Sequence, residues 1–324
     1  MNSNNSIEHF VTLFDSKFLP LGMALHDSLM AHALPFHLWV LCMDDLVEKQ
    51  LKLISLPNVT LIPLKEIETE ELLAVKPGRN QSEYCWTLTP FTFNAVFDRD
   101  NRVERVTYLD ADVFFFSNPQ ILLRELDGTG KHVLITEHAF APQYNYGLPL
   151  SGRFCVQFMT VRSTVEAKGV MRWWQDKCLE WCFARLEDGK FGDQKYLDCW
   201  PELFSKEVHI VQQVEKTLAP WNVLFFEKKL GMINPVFYHF QALRIISPNK
   251  VRLWLDYKVG RQGFHLYSHY LENLKKQISN LKKYGITTPC VEQKRETWGM
   301  LRYFKRKIMK TVCFASLKQE SSQI

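Results

Sequence analysis

The first hundred residues alternate short apolar runs with amphipathic stretches, and this alternation narrows the possible folds more than any other feature. FVTLF at 10–14 is a strand-length apolar run, followed by Asp15, Ser16 and Lys17. Pro20 then suits the first turn of a helix continuing through MALHDSL. FHLWVLCMD reads as a second strand, DDLVEKQLKLIS as an amphipathic helix and VTLIPL as a third strand. Strand and helix in turn predict an α/β fold with a mixed, mostly parallel, doubly wound sheet flanked by helices. The first loop lacks GxGxxG, which disfavours a dinucleotide fold of the NAD type.

Further along, TPFTFNAVFD reads as a helix that delivers the chain into VTYLDADVFFFSNP at 106–119. Ser117 or Asn118 can cap the next helix, with Pro119 near its first position. HVLITEH and FCVQFMTV are further strands. Ser163 and Glu166 have the spacing of a capping box and open a helix through WWQDKCLEWCFARLED, whose Trp173, Trp174 and Trp181 are expected in the core.

The 106–119 segment places Asp110 and Asp112 within an apolar run. In a strand, positions two apart point the same way, so both carboxylates can converge on one object. In an open α/β sheet, ligands bind beyond the carboxyl ends of the strands. The bland alternative is one acid accepting a loop hydrogen bond and the other capping a turn; the three aromatics that follow, Phe114 to Phe116, weigh against solvated carboxylates. Two like charges ~4 Å apart would each oppose a bare phosphate by ~4 kcal/mol at an effective dielectric near 20. A divalent cation reverses that sign, and hard oxygen ligands favour magnesium or manganese.

Two chemistries use such a pair. Phosphoryl transfer of the haloacid dehalogenase type matches DADV, with Gly192, Asp193 and Asp198 resembling its later acidic signature. Placement disfavours it, because that nucleophile follows the first strand of its domain and about a hundred residues precede Asp110 here. The other is sugar transfer from a nucleotide diphosphate sugar.

From about residue 10 to about residue 244 the chain resembles GT-A fold glycosyltransferases, specifically the bacterial family-eight-like enzymes and their nucleotide-diphospho-sugar transferase relatives. The carrying motifs are VTLFDSKFLPLGMALHDSL, YLDADVFFFSNP, FGDQKYLDCWP, APWN and FYHFQALR. The resemblance implies Leu13, Asp15, Lys17, Asp110, Ala111 and Arg244 as nucleotide contacts, and Asp110, Asp112 and His239 as ligands of manganese or magnesium. It implies Asp193 and Gln194 as the catalytic pair facing the donor sugar, though an Asp after a glycine is also a common helix cap. Gln157, Trp221 and Asn222 are implied as sugar contacts. RFCVQF departs from the family's usual asparagine and glycine, so that sugar contact is missing or taken by Gln157. YCWTLTP occupies the place of a frequent arginine, and Arg244 is offset by about one position. The implied reaction retains configuration at the anomeric carbon, with a glycan or glycolipid of the lipopolysaccharide or capsule type as acceptor. A catalytically silent sugar-nucleotide-binding or scaffold protein is the competing expectation, which the altered RFCVQF segment keeps open.

Charge is uneven. Residues 1–250 hold 25 basic and 30 acidic side chains, whereas 251–324 hold 15 and 5. The expected division is a nucleotide-sugar-binding and catalytic domain over 1–250 and a basic helical C-terminal region over 251–324. WGMLRYFKRKIMKTVCFA, at 298–315, reads as an amphipathic helix with Leu301, Phe304, Ile308, Val312 and Ala315 in one arc and five basic residues opposite. Such a helix can rest on an anionic membrane. The acidic body argues against nucleic acid as a partner. MNSNNSIEHF carries no export signature, no window has the run needed to span a bilayer, and the eight cysteines lack any CxxC pair. Reduced thiols in a cytoplasmic protein, peripheral on the inner face of the cell membrane, are the expectation.

Overall fold

The computed structural model describes residues 7–291 and 305–317. In chain order its strands are β1 (Glu8–Phe14), β2 (Phe36–Cys42), β3 (Val59–Pro63), β4 (Arg105–Leu109), β5 (Val113–Phe115), β6 (Val133–Glu137) and β7 (Phe154–Arg162). There follow β8 (Val208–Ile210), β9 (Thr217–Leu218), β10 (Phe237–His239), β11 (Arg244–Ser247), β12 (Lys250–Leu255) and β13 (Val312–Ser316). A seven-stranded sheet has the order β3-β2-β1-β4-β7-β6-β8, and two three-stranded sheets have the orders β5-β10-β9 and β11-β12-β13.

In the large sheet β1 runs parallel to both β2 and β4, β2 to β3 and β6 to β8. Only β7 opposes its neighbours β4 and β6. The sheet is therefore mixed and mostly parallel, as the alternation predicts. Its inner strands β2, β1, β4 and β7 are buried on both faces. β1 sends Val11 and Leu13 into a core with Trp39, Tyr108 and Trp174, and Phe10 and Phe14 into another with Leu109, Phe158 and Phe237. This period-two division explains why these strands read as nearly continuous apolar runs.

β2 lies on one side of β1 and β4 on the other, so the order in which strands are added reverses between β1 and β4. Such a switch point opens a crevice at the carboxyl ends of the two strands. Asp15 and Asp110 immediately follow those ends. A third core, with Leu21, Phe114, Tyr238, Phe240, Val251, Trp254, Tyr267 and Tyr270, ties the helix Arg261–Lys283 and β12 to the same region.

Three local expectations are corrected. The helix opened near Ser163 is Val165–Glu180, capped by Thr164, whose hydroxyl accepts from Ala167 N at 3.3 Å. It ends before Trp181 because the Arg79 guanidinium donates to the carbonyls of Cys178 (2.6 Å) and Leu179 (2.8 Å), satisfying its last turn. The 106–119 run is two strands, β4 and β5, broken by a turn at Asp110–Asp112 in which Val113 N donates to Asp110 O at 3.1 Å. The helix expected over 298–315 is likewise not continuous. Residues 298–304, including Leu301 and Phe304, lie outside the described residues; 305–308 are helical, Lys310 adopts a left-handed φ of 55° and Val312–Ser316 forms β13 against β12. Val312 and Phe314 favour a pleated edge over a helix, and β12 offers its open side.

All eight cysteines carry free thiols. Among the described residues no helix is long and apolar enough to cross a membrane.

The helix Leu19–His32 approaches the sheet closely at Gly22. A Cβ there would meet the buried Phe14 ring, with Cε2 at 3.0 Å. Gly22→Ala is therefore expected to destabilise the chain by about 1–3 kcal/mol, lowering the denaturant midpoint with an unchanged m value.

Candidate active site

The acids of the β4–β5 turn are brought together by the small sheet rather than by strand alternation. β10 pairs antiparallel with β5 so that His239 lies opposite Val113, and Phe240 N donates to Asp112 O at 2.8 Å. His239 Nε2 thereby sits 3.0 Å from Asp112 Oδ1 and 3.6 Å from Asp110 Oδ2. The ligand atoms of these three side chains all lie within 4.8 Å of one another. Asp112 and His239 are buried, while 31% of the Asp110 side chain faces the crevice, so the cluster is open on one side only.

Two carboxylates and an imidazole suit a divalent cation such as manganese or magnesium. The residues present therefore fit a metal, and Asp110, Asp112 and His239 are the ones that would hold it.

Their titration follows from this crowding. Burial raises the Asp110 carboxyl, His239 opposes the rise and Asp112 adds to it. Burial would raise Asp112 as well, but the facing His239 imidazole prevails and holds it below the ordinary carboxylate range. For His239 burial acts downward, yet Asp112 prevails and lifts the imidazole well above its usual value.

The surrounding contacts come from every layer of the fold. Tyr108 OH donates to Asp110 Oδ1 at 3.0 Å. Gln157, fully buried on β7, places Oε1 at 2.6 Å from His239 Nδ1. Trp221 stands edge-on to His239, with centroids 5.6 Å apart, and its Nε1 donates to His138 O at 2.6 Å. Asn222 is equally buried. Its Oδ1 accepts from Ala219 N at 2.9 Å and its Nδ2 donates to His138 O at 3.1 Å. Arg244 Nη1 lies 3.8 Å from Asp112 Oδ2, and its guanidinium covers the Phe18 ring at 4.8 Å.

At the end of β1, Asp15 Oδ1 accepts from Lys17 N (3.0 Å) and Phe18 N (3.1 Å), and Oδ2 accepts from Gln81 Nε2 at 2.6 Å. Leu13 is buried beside it and Lys17 is exposed. Ala111 is buried within the β4–β5 turn. Asp193 is buried after Gly192, whose φ of 55° suits glycine, and its side chain makes no helix-capping bond. Trp174 Nε1 donates to its carbonyl at 2.9 Å. Burial, followed by repulsion from Asp110, pushes the Asp193 carboxyl up to about 7. Gln194 Nε2 donates to Ser151 O at 2.9 Å.

Sequence reasoning missed the Gln157–His239 pair, the Tyr108 hydroxyl and His138. Tyr108 carries a local signal, since it lies two positions before Asp110. The other two depend on strands that meet only in the fold. His138 stacks on Phe140 at 4.7 Å, and burial drives its imidazole down to about 3, leaving a neutral ring in this wall.

No family model matches the chain. Two proteins of Bacillus subtilis strain 168 do. YfnD is 30% identical over 285 residues, covering 85% of this chain and 91% of YfnD. YfnF is 31% identical over 255 residues, covering 75% and 84%. The chain belongs to their family. The crystal structure of galactosyltransferase LgtC in complex with donor and acceptor sugar analogues matches with a TM-score of 0.52 over 85% of this chain and 99% of that one, at 13% identity. The shared architecture is the GT-A fold of glycosyltransferases.

The raised carboxyl of Asp193 has a sign that can be checked. Its folded pKa, about 7, exceeds the ordinary 3.8, so the folded state holds the extra proton and stability falls as pH rises between them. Asp193→Asn removes that dependence. It is expected to raise the unfolding free energy at pH 8 relative to the unaltered chain by at most about 4 kcal/mol, and to leave it nearly unchanged at pH 4.

Proposed function

We propose that the protein is a metal-dependent glycosyltransferase that moves a hexose from a nucleotide diphosphate sugar to a surface-glycan or glycolipid acceptor, with retention at the anomeric carbon. The observation that carries this reading is the convergence of Asp110, Asp112 and His239 at the switch point of a GT-A sheet. A divalent ion bound there, manganese or magnesium, would neutralise the leaving diphosphate.

The chain's own residues then divide the remaining work. Leu13, Asp15 and Lys17 at the end of β1, with Ala111, hold the nucleoside. Asp15 is pre-set for this, because its bonds to Lys17 N and Phe18 N fix the loop before any ligand arrives. Arg244 contributes positive charge beside Asp112 for the diphosphate. Gln157, Trp221 and Asn222 shape the sugar pocket, the last two through the wall they build on His138. Asp193 and Gln194 face the sugar. With Gln194 Nε2 committed to Ser151 O, its amide oxygen is the end available to a sugar carbon that becomes positive. Residues 1–250 form the donor-binding and catalytic part.

The basic C-terminal region is read as resting on anionic lipid at the inner face of the membrane, where the acceptor would be presented. Lys305, Lys307 and Lys310 accompany Ile308, which is 81% exposed. Each basic residue close to such a surface is worth about 1 kcal/mol.

Two experiments test these readings. Donor hydrolysis across a panel of sugar nucleotides, with and without manganese, is expected to require the metal and to fall at least a hundredfold in Asp110→Asn with Asp112→Asn, with the fold retained by circular dichroism. Metal-independent turnover would refute the assignment. Flotation with phosphatidylserine vesicles is expected to carry the protein at low salt and release it at high salt; no flotation would remove the membrane reading alone.

A further inference from the structure

Gln157 occupies an unusual place for an amide. It lies mid-strand on β7, wholly buried, beneath the turn that carries the two aspartates, and its backbone oxygen accepts from Asp110 N at 3.2 Å. Its side-chain oxygen meets His239 Nδ1 at 2.6 Å. The other end of the amide, Nε2, is buried without a hydrogen-bond partner among the described residues. A half-satisfied amide is costly in a core, and an apolar side chain of the same size would pack there without that cost. Packing therefore does not explain the residue, whereas the contact with His239 does.

An amide oxygen only accepts, so in this orientation Nδ1 of His239 carries the hydrogen. The opposite nitrogen, Nε2, is the one 3.0 Å from Asp112 Oδ1 and 3.6 Å from Asp110 Oδ2. It is thus the nitrogen whose lone pair serves a cation held between the carboxylates. A bond at the far ring nitrogen fixes both the tautomer and the ring angle of a ligating histidine. Trp221, edge-on to the same ring at 5.6 Å, restricts its tilt but offers no acceptor to Nδ1, since its Nε1 donates to His138 O.

We propose that Gln157 is the positioning residue of this cation site, its amide oxygen holding His239 with Nδ1 protonated and Nε2 turned to Asp110 and Asp112. The inference rests on the metal reading above. It replaces direct sugar contact as the principal role of this side chain.

Manganese binding to the full-length protein, followed by the electron paramagnetic resonance of free manganese, tests it in three chains. Gln157→Leu, which keeps the bulk and removes the acceptor, is expected to weaken binding 10- to 100-fold relative to the unaltered protein. Gln157→Glu, which keeps an oxygen toward Nδ1, is expected to bind at least as tightly as the unaltered protein. Long-range proton–nitrogen correlation of the histidine rings, recorded with diamagnetic magnesium in place of manganese, is expected to show Nδ1 protonated and Nε2 without hydrogen at His239 in the unaltered chain. Equal affinity in Gln157→Leu, a Gln157→Glu variant that binds ten-fold or more below the unaltered protein, or an unprotonated Nδ1 would overturn the inference and leave the metal reading standing. No manganese binding by the unaltered chain would overturn both. Should Gln157→Leu fail to fold, Gln157→Glu and the ring spectrum still decide.

Discussion

Two carboxylates on a three-residue turn, one of them buried, repel each other by ~4 kcal/mol at ~4 Å and an effective dielectric near 20. Within the 106–119 segment the Tyr108 hydroxyl donates to Asp110, but no positive charge is present to offset that. The compensation arrives from more than a hundred residues downstream, when β10 pairs with β5 and sets His239 against Asp112 at 3.0 Å. The antiparallel pairing of three residues on each strand is thus the constraint on which the site depends. If β10 were to slip by one position, His239 would turn to the opposite face, and Tyr238 or Phe240 would meet the acids instead.

That register is held from both sides by aromatic packing. Phe237 stacks on Phe158 at 5.4 Å and meets Phe115 at 6.1 Å, within the core beneath the large sheet. Phe240 stacks on Tyr270 at 3.9 Å, and Tyr238 meets Tyr267 at 5.5 Å, in the core built with the helix Arg261–Lys283. The neighbours Phe237 and Tyr238 are therefore anchored in different cores, leaving His239 directed to the crevice. The long C-terminal helix contributes no side chain to the cluster, yet it supplies the rings that keep the strand carrying His239 in register.

The extent to which this could be seen in the sequence follows from the range of each interaction. The parallel sheet was legible because its inner strands are buried on both faces and announce themselves as apolar runs separated by amphipathic helices. The acids stood out because charge inside such a run is costly. Their convergence was expected from strand alternation, whereas it comes from a turn and a distant strand pairing. His239, flanked by Tyr238 and Phe240, reads locally as a core histidine, so only the resemblance tied it to the acids. The end of the helix at Glu180 depends on Arg79, about a hundred residues away in sequence. β13 exists because β12 offers an open edge, and an amphipathic period over 298–315 carries no trace of that neighbour.

The wall around the cluster is also notable for the charge it lacks. His138, buried and stacked on Phe140, is driven to about 3 and stays neutral near physiological pH. Gln157 and Asn222 are neutral by chemistry, and Trp221 presents an aromatic edge. Asp193, raised to about 7, carries only a partial charge near neutrality. The charged groups beside the crevice include Asp110, Asp112, His239 and Arg244 at the cluster and Asp15 and Lys17 at the end of β1. In so desolvated a wall the field of a cation held there would be weakly screened. The polar but uncharged side chains of this wall therefore bear on its electrostatics as much as Asp110, Asp112 and His239 do.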